Sequence, residues 1–142
     1  MSVLTVQPVR DAIRTACVTA FGITADDVTY GNPRVVEPTL PYVVVRLDTV
    51  PMQVQAVTSV EQTYLYEITL VGQWGQDEVI EDIKVEKANA LISELMTGAL
   101  FAGIAYNPMI MQVDFSESDD PNEPTYELTV LFSVSIEQQR LV

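Results

Sequence analysis

The chain contains no histidine and a single cysteine, Cys17. Without histidine, Ser-His-Asp and Cys-His nucleophile arrangements are excluded, and the commonest neutral-pH proton shuttle and metal ligand are missing. One cysteine excludes an internal disulfide and suits folding in a reducing compartment. No run of apolar residues approaches the length of a bilayer span. Met1-Ser2-Val3-Leu4 carries no basic segment ahead of an apolar one, so a soluble chain without a signal peptide is expected. Positive charge is scarce as well. Seven Lys and Arg face twenty Asp and Glu, for a net charge of −13. Such a surface repels phosphate backbones and anionic lipids, so stable nucleic-acid or membrane binding is not expected.

What is present is a globular composition. Of 142 residues, 48% are apolar. This length fits one domain, 1–142, and a chain near this size buries roughly 68–70% of its unfolded surface, enough to fold without a staple. A first helix is expected over about residues 5–21, with Thr5 or Gln7 as its cap and Pro8 in its first turn. Val9, Ile13, Ala16, Cys17 and Ala20 make its apolar stripe, and Gly22 its left-handed end. Cys17 lies on that stripe and reads as a small core residue. Asp26 to Tyr30 reads as a short extended segment.

Strong alternation follows. In Tyr42–Asp48, Val43, Val45 and Leu47 point to the core, while Tyr42, Val44, Arg46 and Asp48 form a half-polar face. A longer strand over about Val60–Trp74 puts Tyr64, Tyr66, Ile68, Leu70 and Trp74 on one side. Thr63, Leu65, Glu67, Thr69, Val71 and Gln73 take the other. Pro51–Ser59 between them is too apolar and β-prone for an ordinary loop. It reads either as a projecting hairpin tip or as a longer ladder with a bulge. Asp77 is placed to cap a second helix whose stripe is Ile80, Ile83 or Lys84, Ala88, Leu91, Ile92 and Leu95, with Gly98 as its stop.

Two closing strands are expected. Over Met109–Glu117, Met109, Met111, Val113 and Phe115 alternate with Ile110, Gln112, Asp114 and Ser116. Over Tyr126–Glu137, Tyr126, Leu128, Val130, Phe132, Val134 and Ile136 form a continuous apolar face. The order helix, β-hairpin, helix, β-hairpin implies an α+β fold: a mostly antiparallel four- or five-stranded sheet with both helices on one face. The second sheet face mixes Ser, Thr, Glu and Gln with Leu and Val, a composition suited to a moderately polar protein interface.

No catalytic constellation emerges, and an enzyme is not expected. No Cys or His pair can hold zinc, and neither dinucleotide-binding nor phosphate-loop glycine spacing occurs. Asp114, Glu117, Asp119, Asp120 and Glu123 crowd one turn, but the spacing departs from a calcium loop and its glycine is missing, so a solvated acidic tip is the expected state. Arg34 and Arg46 read as partners for carboxylates within or between subunits. No catalytic, metal or cofactor residue is therefore assigned. The candidate site is an interface: Met52, Val54 and Val57 in the 51–59 segment, with Arg46, Asp48, Leu65 and Glu67 on the outer sheet face.

The segments Pro41-Tyr42-Val43-Val44-Val45-Arg46-Leu47, Tyr64-Leu65-Tyr66-Glu67-Ile68-Thr69-Leu70-Val71-Gly72, Ala88-Asn89-Ala90-Leu91 and Phe132-Ser133-Val134, in this order, resemble the neck and tail terminator proteins of tailed bacteriophages. The resemblance covers nearly the whole chain and rests on element order, size and strand pattern. It implies a virion location at the tail or neck, after assembly in the host cytoplasm. It also implies a ring, commonly a hexamer, that caps the tail tube, ends polymerisation of the tube protein and offers a docking surface to the head–tail connector. DNA would only pass through the lumen, and neither a membrane nor a cofactor is implied. Another head–tail joining or tail completion protein, an acidic binding or inhibitor module, and a carboxylate enzyme remain as alternatives.

Overall fold

The computed structural model describes residues 3–31, 40–49, 52–56, 59–75, 78–97, 100–103, 105–118 and 124–139. Helix α1 (Val3–Phe21) is followed by a 3-10 turn at Ala25–Asp27 and strand β1 (Val28–Tyr30). Strands β2 (Tyr42–Thr49), β3 (Met52–Ala56) and β4 (Ser59–Gln73) lead to helix α2 (Ile80–Leu95), and β5 (Tyr106–Glu117) and β6 (Thr125–Gln139) close the fold. The architecture is the expected α+β layering. Five strands lie side by side in the order β1-β2-β4-β6-β5, and β3 adds to β4 beyond the end of β2. Every pairing is antiparallel except β1 with β2.

The core follows the alternation of the two long central strands. Tyr64, Tyr66, Ile68 and Leu70 of β4 lie opposite Val134, Phe132, Val130 and Leu128 of β6, and all are buried. Val43 and Val45 extend this layer, and Phe101 stacks on Phe132 at 5.4 Å between ring centres. Val9, Ile13, Ala16 and Cys17 of α1 and Ile83, Ala88, Leu91 and Leu95 of α2 cover it. Each large apolar side chain so buried contributes about 1.5–3 kcal/mol relative to exposure. Gly22 ends α1 in a left-handed conformation (φ 65°), its N–H donating to the Val18 carbonyl at 3.0 Å. This is the helix end for which glycine carries no Cβ penalty.

Several local expectations are corrected. Helix α1 begins at Val3, so Pro8 lies inside it, and Thr5 and Gln7 are not caps. Proline has no N–H for the carbonyl four residues back, so Leu4 loses that helical partner. Helix α2 begins at Ile80 with Val79 at its cap position, and Val79 offers no side-chain hydrogen bond. The Val79 carbonyl instead accepts from Asp82 and Ile83, while a turn closes ahead of it through Gly75 N–H to Glu78 Oε1 at 2.8 Å. Asp77 and Gly98 lie outside the described residues. On β2, Leu47 stands 43% exposed where the ladder shifts register, whereas Val44, expected on the wetter face, is buried between Thr29 and Thr69.

The expected alternation of β5 also breaks. A register shift between Ile110 and Gln112 leaves Ile110, Val113 and Phe115 in line with the apolar residues of β6, while Met109 lies opposite Ser133 on the other face. One extra residue in a bulge reverses which parity faces the core.

Candidate functional site

The helices occupy one face of the sheet, and the opposite face is defined by strand register. Moving along it, Thr63 lies opposite Ser135, Leu65 opposite Ser133, Glu67 opposite Leu131, Thr69 opposite Thr129 and Val71 opposite Glu127. On the flanks, Arg46 of β2 is in register with Glu67, and Gln112 of β5 with Leu131. One row across four strands therefore reads Arg46, Glu67, Leu131, Gln112. The neighbouring row reads Val44, Thr69, Thr129, Asp114.

Short polar side chains satisfy one another on this surface. The Thr69 and Thr129 hydroxyls are 3.3 Å apart, as are those of Thr63 and Ser135. Ser135 is only 3% exposed, and Ser133 is also buried. Arg46 Nη1 lies 4.0 Å from Glu67 Oε1, with the two side chains 49% and 35% exposed. At that exposure a single ion pair contributes about 0–1 kcal/mol. Leu65, Val71 and Leu131 remain half-exposed among these polar groups. Paired hydroxyls, the Arg46–Glu67 ion pair and half-exposed aliphatic side chains are a mixture suited to protein contact.

The candidate residues fall into two groups. Arg46, Glu67 and Leu65 share the outer face, and Asp48 lies exposed at the register shift that ends β2. Met52 and Val54 belong to β3, opposite Gln62 and Val60 of β4, and Val57 lies outside the described residues. Residues 52–56 therefore pair with 59–62 as a bulged ladder, and β4 pairs with β6 on its other side there. Strand β6 pairs with β4 along its whole length, from Gln73–Thr125 to Ser59–Gln139. Strand β5 stops at the Tyr106–Ser135 row, so β3, β4 and β6 continue as a three-stranded extension past it. Four residues of β6, Ile136–Gln139, lie beyond that row, a reach of about 13 Å at strand rise.

Two features were not assigned any role from the sequence. The first is the exposed apolar run on β5, where Tyr106, Met109, Met111 and Val113 are each 37–56% exposed. Its signal was present: Met109-Ile110-Met111 is apolar at three consecutive positions, which no half-buried strand requires. The second is the pair Arg10 and Arg14, four residues apart on α1. Both guanidinium groups lie over the ring of Tyr30, at 4.9 and 4.6 Å from its centre.

The reactive groups are muted. Burial pushes the Cys17 thiol up to about 12, so it stays protonated and inert at neutral pH. Burial also raises Tyr66, Tyr30 and Tyr126, the last with help from the Glu78 and Glu86 carboxylates. The groove beside Tyr126 encloses about 290 Å³ and is lined by Glu78, Glu86 and Lys87 together with Gly72 and Pro41. Among the described residues no group of three His, Cys, Asp or Glu side chains is placed to hold a metal ion, and no helix is long and apolar enough to cross a membrane.

No protein-family profile and no curated protein sequence matches the chain. Its fold, however, is similar to that of a chain in the solved virion of a native gene transfer agent particle, at 12% sequence identity and a TM-score of 0.53, over 88% of this chain and 94% of that one.

Proposed function

We propose that this protein is a structural subunit of a phage-like particle, acting through assembly and not through catalysis. In its finer form, the proposed role is that of a tail terminator: a ring, taken as a hexamer, that caps the tail tube, ends its growth and receives the head–tail connector. The observation that carries this reading is the fold shared with a virion chain over nearly the full length of both. A broad, mixed sheet face opposite the helices supports it, as does the three-stranded extension that carries Met52 and Val54. The net charge of −13 is also consistent with DNA passing through a lumen, since few cations are available to hold phosphates.

Particle production without this protein, followed by electron microscopy, tests the proposal. Overlong tail tubes are expected. Tails of normal length that fail to join heads would instead assign a head–tail joining role. Intact particles of normal form, together with absence of the chain from purified wild-type particles, would overturn the virion reading altogether.

A further inference from the structure

The sheet order places β1 and β5 at opposite lateral edges, and the two edges carry opposite chemistry. At the β1 edge, Arg10 and Arg14 stack on Tyr30, whose hydroxyl donates to Asp11 Oδ1 at 3.3 Å. Cation–π contact with a ring fixed in a strand holds both guanidinium groups in place, so less side-chain freedom is lost when they bind. Among the described residues neither arginine forms a salt bridge with a carboxylate. Two of the chain's seven basic residues are thus gathered at one sheet edge.

The β5 edge is a 12-residue strand that, among the described residues, pairs only with β6. Sheet edges in isolated proteins are usually short, lysine-bearing or covered, because a long apolar edge recruits other chains. This one carries no lysine and exposes Met109, Met111 and Val113. Its irregularities fall in the first half, at the 106–109 and 110–112 register shifts, so Gln112–Glu117 runs as a regular strand. Asp114 and Glu117 are exposed along that half, and Gln112 Nε2 donates to Asp114 Oδ2 at 2.6 Å. Beside it, a groove of about 310 Å³ between β5 and α2 is lined by Ile80, Glu81, Lys84, Phe115 and Glu117.

We propose that the β5 edge of one copy docks against the β1–α1 edge of a second copy, with Arg10 and Arg14 meeting Asp114 and Glu117 while the exposed β5 methionines are covered. Because the two patches differ and lie at opposite ends of one sheet, the contact is head-to-tail. Each added copy leaves one edge of each kind unsatisfied, so the contact propagates, and it ends only by closing into a ring. This inference rests on the self-assembling reading above; of the outer sheet face it uses only the β5 margin at Met109 and Asp114, and it leaves the β2, β4 and β6 part of that face and the extension for other partners.

Sedimentation of the full chain against concentration tests it, using Arg10→Glu/Arg14→Glu and Asp114→Arg/Glu117→Arg. Wild type is expected to assemble. Each variant alone then presents like charges at both edges and should need at least about tenfold more protein to assemble. An equimolar mixture should regain assembly, because acidic and basic edges alternate from copy to copy. Met111→Asp, at a surface position where folding is not at stake, should impair assembly as well.

If wild type assembles and the charge-reversed variants do so equally well, the edge docking is wrong and the virion reading stands. A wild-type chain that stays monomeric in isolation yet is found in purified particles has the same meaning. Absence from particles defeats the virion reading itself.

Discussion

Gly72 and Tyr126 face each other across β4 and β6, and the pair makes a sharp test of how the end of the core is built. A Cβ added at Gly72 would sit 2.6 Å from Tyr126 Oη, 2.7 Å from Cζ and 2.9 Å from Cε1. Carbon contacts are favourable only near about 3.5–4.0 Å, so the ring itself must move. Its packed side resists that movement, although the groove lies beside it. Tyr126 is 4% exposed and stacks on Phe115 at 5.8 Å with 15° between the planes, and Lys84 lies over Phe115 at 5.4 Å. Overpacking of this kind costs about 1–3 kcal/mol. Alanine recovers about 0.5–1 kcal/mol of the entropy that glycine loses on folding. Gly72→Ala should therefore destabilise by about 1–2 kcal/mol, lowering Tm by about 3–6 °C for a chain of this size. The assay is urea or thermal unfolding of wild type, Gly72→Ala, Tyr126→Val and the double variant, at a concentration where all are monomeric. Removing the ring removes the obstacle, so Gly72→Ala should be neutral or slightly stabilising in the Tyr126→Val background. An equal penalty in both backgrounds, or none in wild type, would refute the reasoning.

Other outcomes are expected from the same packing. Leu91→Asp places a charge at a position 1% exposed between α2 and the sheet, and should cost more than about 4 kcal/mol. A cooperative melt near the wild-type temperature would contradict that placement. Leu65→Lys, on the outer face, should leave circular dichroism and Tm unchanged while lowering incorporation into particles, and a lowered Tm would make Leu65 a core residue. The folded-state pKa of Cys17, raised from 9.0 to about 12, means that the unfolded chain loses its thiol proton first as pH rises. Stability from this group is therefore complete below about pH 9 and declines between 9 and 12. Cys17→Ala should show a shallower alkaline decline than wild type, and a thiol reagent at neutral pH should modify wild type only as fast as it unfolds. Rapid labelling of the native protein would contradict the burial.

The stretches legible in the sequence were those whose burial obeys one uninterrupted period. The apolar face of β6 runs from Tyr126 to Ile136 without a break, and each residue assigned to it is buried. Val9, Ile13, Ala16 and Cys17 of α1 behave likewise. Local signals failed where a single residue changes the phase or where tertiary packing outweighs a local cost. The bulge at 110–112 moved Met109 to the outer face. Pro8 is carried inside α1, a helix whose buried stripe from Val9 onward repays far more than one missing hydrogen bond.

Composition and periodicity alone determined a histidine-free acidic chain, its α+β layering and its helix-facing core, because these follow from side-chain chemistry and from the repeat of each element. Which strands become neighbours did not follow, since pairing partners are set by long-range contacts that no local pattern encodes. Tertiary structure alone decided that β4 and β6 sit at the centre, that β3 joins them as an extension, and that Arg10–Arg14 and the methionine-bearing β5 end up at opposite edges of one sheet.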